Sequence, residues 1–265
     1  MQERHVNKER YFKEQAITTA KYVIPYLSDQ MKITPETRVL EIGCGEGGNL
    51  VPFLDLGCEV VGIDITPSRI ELAEQYLAGH PQRDRLKLIA ADIYTRNGED
   101  GKFDLIIMRD VIEHIHDQDR FMGFVRLFMH ENSRFFLAFP PWYNPFGGHQ
   151  QICKNKILSK LPFYHILPKG IYTSILRLGK ESTRTIDDLL EIKQTGITLE
   201  RFEKLALKHQ FKIEKKTWYF INPNYETKFG IKPRIQWQIF TFIPFFRNFV
   251  VTAGYYVLSL QSTEK

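Results

Sequence analysis

At 265 residues, with 43% hydrophobic and 25% charged side chains, the chain has the balance of an ordinary globular protein able to bury a sizeable core. Its three cysteines show no Cys-x-x-Cys or Cys/His finger spacing, which argues against a disulfide framework and a structural zinc and suits a reducing cytoplasm. The net charge of +5 is unevenly spread: residues 39–140 hold 10 basic and 17 acidic side chains, residues 141–235 hold 17 basic and 8 acidic. An acidic first half suits a cationic or neutral ligand and a basic second half an anionic substrate or surface, although charge solvated on ordinary faces gives the same counts.

The N-terminal stretch MQERHVNKERYFKEQ is polar and lacks the apolar run of an export signal, so the expected location is cytoplasmic. From Tyr11 to Gln30 the periodicity is mixed helical, and Pro25 is expected to break or kink the segment. A regular alternation then begins. Apolar runs at Arg38–Ile42, Glu59–Asp64, Leu86–Ala91, Phe103–Met108 and Arg134–Phe139 read as buried parallel strands. Helices are expected at Thr66–Leu77, capped by Thr66 with Pro67 in the first turn, and at Asp117–Met129. Strand and helix alternating at this spacing imply an open, doubly wound, mostly parallel sheet of α/β class.

After Pro140-Pro141 the rhythm changes. Residues 141–197 are rich in aromatics, prolines and lysines, and are expected to form an insertion lying over the active face. Thr198–His209 returns to helical period, Phe211–Phe220 reads as a strand, 221–254 as a second irregular aromatic stretch, and Tyr255–Leu260 as the last strand. The resulting division is a helical cap over 1–37, a core over 38–140, the insertion over 141–197, and a final helix and strands over 198–265. Between Ile235 and Leu260 many apolar residues are interrupted by Pro244, Arg247 and Asn248, a poor spanning helix. Burial against the domain is the expected explanation, with a surface amphipathic element as the alternative.

The run VLEIGCGEGG, Val39 to Gly48, carries the chemistry. Gly43, Gly45 and Gly48 satisfy the G-x-G-x-x-G pattern of nucleotide-binding turns, in which bare backbone approaches a ligand. Asp64 ends the second strand about twenty residues on, where a carboxylate can accept from both ribose hydroxyls. Glu41 distinguishes between ligands. A carboxylate beside a pyrophosphate costs Coulomb energy, whereas S-adenosylmethionine has no phosphate and presents an ammonium and a sulfonium that acids attract.

Four segments in order resemble the class I S-adenosylmethionine-dependent methyltransferases over about residues 36–140: VLEIGCGEGG, VGIDITPSRIELAEQYL, AADIY and FDLIIMRDVIEHI. The resemblance is of the ubiquinone-pathway, small-molecule kind, and implies a seven-stranded Rossmann-like sheet with a helical, aromatic cap inserted between strands five and six. It implies that Glu41, Gly43, Cys44 and Gly45 hold the methionine part, that Asp64 binds the ribose with Ile65 against the adenine, and that Asp92 and Ile93 contact the adenine. Arg109 would lie beside the methionine part through its backbone, its side chain turned from the sulfonium. S-adenosyl-L-homocysteine would be the product.

Transfer from a sulfonium is an in-line displacement that needs positioning and water exclusion, and a base only where the acceptor must lose a proton. His114 and His149 are the candidate bases, and Tyr143 a candidate acceptor contact whose alternative is packing beneath the insertion. Asp110, Glu113 and His114 are spaced to share a helix face and, with His149, to offer a divalent metal site, as in related small-RNA and quinone-pathway enzymes. The alternative is a Glu-His pair that only caps and orients a helix. His165 reads as a packed or surface histidine rather than a catalyst. The acceptor is expected to be small, lipid-like or a glycan, methylated at O, N or C; peripheral membrane contact is compatible and nucleic acid is not indicated. Other readings are a nicotinamide-dependent oxidoreductase and a cofactor-binding protein without transfer.

Overall fold

The computed structural model describes residues 7–261; the ends of the expected 1–37 and 198–265 segments, residues 1–6 and 262–265, lie outside it. The chain opens with helix α1 (Lys8–Thr18), capped by the Asn7 side chain accepting from the Arg10 amide at 2.9 Å. Pro25 does not break this segment as expected. A π-helical turn, Thr19–Val23, carries α1 into α2 (Ile24–Ser28), where Pro25 sits in the first turn and its missing N–H costs no bond.

Five parallel strands follow: β1 (Arg38–Ile42), β2 (Glu59–Asp64), β3 (Leu86–Ala90), β4 (Phe103–Arg109) and β5 (Met129–Phe139). Helix α3 (Val51–Asp55) joins β1 to β2, α4 (Pro67–Leu77) joins β2 to β3, and α5 (Gln118–Phe124) precedes β5. Two details depart from expectation. Thr66 stands at the N-cap of α4, but its side chain makes no capping bond. The helix expected over 117–129 ends at Phe124 and tightens into a 3₁₀ turn, Val125–Phe128, before Met129 enters β5.

The insertion contains regular helices that its weak periodicity concealed: α6 (Lys169–Leu178) and α7 (Thr183–Thr195). It also has its own small core, in which Cys153, Tyr164, Tyr172, Leu176 and Leu189 pack together. Beyond it lie α8 (Leu199–Lys208), β6 (Phe211–Ile221), α9 (Asn224–Phe229), the two-residue β7 (Arg234–Ile235), α10 (Gln238–Thr241), α11 (Arg247–Val250) and β8 (Ala253–Leu260).

The sheet has eight strands rather than the expected seven, in the order β3-β2-β1-β4-β5-β8-β6-β7, because β7 adds a short edge. The β1–β5 pairings are parallel, with Val39 beside both Val60 and Leu105; β8 is wedged antiparallel between β5 and β6. Alternation along β1 sends Val39 to one face and Leu40 to the other. On the first face Val23 of the π-helical turn and Leu27, Phe53 and Leu77 of α2, α3 and α4 close the core; on the second, Phe121 and Phe202 of α5 and α8 do. Each fully buried phenylalanine contributes roughly 2 kcal/mol of transfer free energy. Strand order reverses between β1 and β4, so the carboxyl ends of those strands open a crevice there.

Candidate active site

The loop after β1 turns sharply at Gly43 (φ +75°), Gly45 (φ +54°) and Gly47 (φ +81°). A β-carbon on Gly43 would stand 2.5 Å from Val111. Gly48, counted in the sequence pattern, serves differently: its Cβ position is 2.4 Å from the Phe12 carbonyl, so its bareness lets α1 lie on the loop. The loop's amides mostly point inward. Those of Gly43 and Cys44 donate to the Ile63 carbonyl at 2.7 and 3.0 Å, and that of Gly47 to Cys44 at 2.9 Å. Gly45 N donates to Asp64 Oδ2 at 2.9 Å, while Thr66 N donates to Asp64 Oδ1 at 2.8 Å. An amide nest for a pyrophosphate needs those N–H groups free; here four are already satisfied. The Cys44 side chain is likewise turned inward, 2.9 Å from where a Cβ on Gly62 would lie.

Glu41 is completely buried on β1. Its Oε1 accepts from Asn49 Nδ2 at 2.6 Å, and its Oε2 meets no donor. Asn49 Oδ1 in turn accepts from Arg109 Nη1 at 2.7 Å and Thr19 Oγ1 at 2.9 Å, and Arg109 Nη2 donates to Asn224 Oδ1 at 2.8 Å. Burial dominates over the attraction of Arg109 and pushes the Glu41 carboxyl up to about 8. The Arg109 guanidinium is thus tied into a buried polar cluster beneath the π-helical turn. Asn49, Thr19 and Asn224 were not anticipated, since polar residues scattered over the chain announce a shared cluster only once the fold unites them.

Asp64 is buried at the end of β2, and the next residue, Ile65, is 69% exposed. Asp92 is exposed beyond β3, where its Oδ1 accepts from Tyr94 N at 2.9 Å; Ile93 beside it is buried. Asp110 follows β4 with φ +54°, its amide donating to Ala138 O at 2.8 Å, and lines a narrow cleft with Tyr11, Gln15, Asn49 and Arg109. Carboxylates thus stand at the carboxyl ends of β2, β3 and β4, with Glu41 behind the crevice.

No helix places Asp110, Glu113 and His114 on one face. Ile112–His114 is a single 3₁₀ turn, and the left-handed backbone at Asp110 swings that residue toward the cleft instead. The cluster that does form is Glu113, His114 and His149, with one ligand-type atom of each within 4.8 Å of the others. The two imidazoles meet edge to face, centroids 5.0 Å apart, and His149 Nε2 is 3.8 Å from Glu113 Oε1. Glu113 is buried with neither carboxylate oxygen accepting a hydrogen bond. Burial, then the nearby Asp110 charge, holds its carboxyl well above the ordinary carboxylate range; burial holds His114 below the ordinary imidazole value.

The turn is buttressed by residues the sequence did not single out. The Thr195 hydroxyl of α7 donates to the Glu113 carbonyl, and Gln118 Nε2 bridges Ile112 O at 3.1 Å and Thr195 O at 2.6 Å. His149 has φ +55°, a left-handed conformation strained for a side-chain-bearing residue. Tyr143 packs against Phe245 and Phe249, centroids 4.7 and 5.2 Å away. His165 is fully buried, with Nε2 bonded to Trp142 O at 2.8 Å, and burial lowers it to about 4; it is a packed residue, as expected.

Residues 40–135 match the family model of a methyltransferase domain. A ubiquinone biosynthesis O-methyltransferase of Pelagibacter ubique is 30% identical over 132 residues, 49% of this chain and 50% of that one. A sterol 4-C-methyltransferase of Caenorhabditis elegans is 26% identical over 110 residues, covering 42% of this chain and 33% of its own. Among solved structures, a putative sarcosine dimethylglycine methyltransferase from Galdieria sulphuraria superposes with TM-score 0.61 at 13% identity, over 92% of this chain and 86% of its own. The plantazolicin methyltransferase BpumL, in complex with SAH, gives TM-score 0.53 at 13% identity, over 96% and 84%. Residues 40–135 thus form a methyltransferase domain, and their likeness supports the class I S-adenosylmethionine-dependent kind. It spans a third to a half of the length of these two curated relatives. The family-model match ends at residue 135, before the insertion.

Proposed function

We propose that the protein moves a methyl group from S-adenosylmethionine to an oxygen, nitrogen or carbon atom of a small, lipid-like or glycan acceptor. The observation that carries the reading is the glycine loop: its amides are spent on Ile63, Cys44 and Asp64, and acids ring the crevice beside it. Such a site repels a pyrophosphate and attracts a cation. The residues present fit the cofactor. Glu41 retains an unfilled, buried acceptor at Oε2 toward which an ammonium is drawn, with Gly43, Cys44 and Gly45 supplying close backbone and Arg109 its main chain. In this reading Asp64 and Ile65 meet the ribose and adenine, and Asp92 and Ile93 the adenine edge. When bound, the cofactor supplies a methyl group already activated on a sulfonium.

The chain's own work is then positioning, exclusion of water and proton handling. Helix α1 covers the glycine loop, with Tyr11 and Gln15 lining the cleft. For a hydroxyl acceptor, His149 or His114 accepts the proton through a ring nitrogen; burial keeps His114 neutral and therefore able to accept. Glu113 lies buried against His149, its Oε1 3.8 Å from the Nε2. A second reading is favoured by the same cluster. Three ligand-type atoms within 4.8 Å and an unpartnered carboxylate suit one divalent cation held by Glu113, His114 and His149, which would lower the pKa of an acceptor hydroxyl. Incubation with deuteromethyl-labelled cofactor and fractionated small-molecule, lipid and glycan extracts tests the proposal by mass spectrometry. A labelled product supports it; cofactor binding without any labelled product would leave a binding protein instead.

A further inference from the structure

The aromatic stretch expected to be buried over 235–260 divides in two. Ala253–Ser259 is buried as β8, but the part before it is not. Ile235, Trp237, Ile239 and Phe242 are 64%, 61%, 71% and 79% exposed, and Phe245 and Phe246 are half exposed. Trp237 rests one face on Phe220, centroids 5.8 Å apart, which fixes it while leaving it open to solvent. A contiguous apolar face of this size marks an interaction site.

The basic insertion adjoins it. Tyr143 packs on Phe245, and Phe163 faces Phe249 with centroids 6.2 Å apart. The insertion has exposed aliphatics of its own: Ile157 is 75%, Ile171 53% and Leu178 83% exposed. Both segments have a long acid-free stretch, the insertion's acids Glu181, Asp187, Asp188 and Glu191 all lying at its α7 end. No aspartate or glutamate occurs from Asn132 to Lys180, or from Thr227 to Gln261. Exposed Lys154, Lys156, Lys160, Lys169 and Arg177 punctuate the first, and exposed Lys232 and Arg234 the second. A protein partner of mixed charge does not require such one-sided composition. Exposed Trp, Phe and Ile set among Lys and Arg, with no carboxylate in those two stretches and the neighbouring Glu200 neutralised by Arg247, complement the headgroup boundary of an anionic bilayer. Among the described residues no helix is long and apolar enough to cross a membrane.

We infer that the surface formed by residues 231–246 and the adjoining face of the insertion docks the protein on an anionic phospholipid bilayer, lying in its interface. Tyr143, which follows β5 in the stretch that leads to His149, packs directly on this surface, so docking brings the mouth of the site to the membrane. The inference does not depend on the methyltransferase chemistry.

The test is flotation of the full chain with phosphatidylglycerol-containing vesicles and, in parallel, with pure phosphatidylcholine vesicles, together with tryptophan emission. Co-flotation and a blue shift with the anionic vesicles only, lost on Trp237→Phe for the shift and reduced at least about tenfold by Ile239→Asp with Phe242→Asp, are expected. High salt should weaken the binding. Homocysteine-cofactor affinity, measured on the same preparations, should be unaltered by these variants, which shows them folded and separates this inference from the proposed activity. No flotation of the wild type, equal flotation with both vesicles, or a stable dimer in which Trp237 is protected would overturn the inference.

Discussion

Asp64 Oδ2 accepts the Gly45 amide at 2.9 Å, so the acid that ends β2 also holds the glycine loop that follows β1. With Thr66 N on its other oxygen, Asp64 is a brace between two crossovers before any ligand arrives. Replacing it by alanine leaves two amides without an acceptor and should cost about 1–3 kcal/mol of stability. Cofactor affinity should fall by roughly tenfold or more, because the ribose loses its partner as well. Calorimetry on Asp64→Ala showing a lowered Tm with unchanged affinity would confine the residue to the brace.

Glu41 makes the fold pH-dependent in a definite direction. Its carboxyl titrates near 8 in the folded protein and at its ordinary 4.5 when unfolded. The folded state therefore holds the proton more tightly, and the increment of stability this gives is present below about 4.5, declines as pH rises and is gone above about 8. The magnitude is on the order of 4 kcal/mol. Glu41→Gln should be the more stable protein at pH 9 and lose this slope, while binding cofactor roughly tenfold more weakly. In the wild type, binding near neutral pH should release a proton, read from calorimetry in buffers of different ionisation enthalpy.

His165 acts in the opposite sense. Its imidazole is held at about 4 beneath the insertion, so the stability it contributes is present above 6.5 and is lost as pH falls toward 4. Limited proteolysis should open residues 141–197 in that window before the parallel sheet is cleaved.

His149 tests the proton-handling role. His149→Asn should keep Tm, since asparagine tolerates the left-handed backbone, and should keep cofactor affinity. Turnover on a hydroxyl acceptor should fall about a hundredfold or more. Equal rates in the variant would make His149 structural.

Chelation separates the two readings of the Glu113, His114 and His149 cluster. With imidazole as the base, EDTA leaves the rate unchanged. A loss restored by magnesium or manganese selects the metal-held reading.

The parallel half of the fold is plain in the chain because its strands are buried on both faces and read as unbroken apolar runs; β1 and β2 begin and end where those runs do. The Gly43–Gly45 turn and Asp64 were legible because local spacing fixes them to strand ends, and Asp92 only through the resemblance carried by AADIY. Three things were hidden. The π-helical turn absorbs Pro25 through backbone geometry that has no side-chain signature. The Asp110–His114 spacing suggested a helix, and the left-handed Asp110 removed it. The bond of Asn49 to Glu41 and of Arg109 to Asn49 joins residues 8 and 60 positions apart, a proximity only the sheet order creates. The exposed Trp237–Phe246 face inverted the expectation of burial, since apolar content alone does not say whether a segment meets a core or another apolar phase.

Titration of the purified protein with S-adenosylhomocysteine and, separately, with NADH reads the site most directly. The account predicts saturable binding of the sulfur ligand, weakened by Asp64→Ala, and none of the dinucleotide. Saturable NADH binding at the Gly43–Gly48 loop without binding of S-adenosylhomocysteine would contradict it.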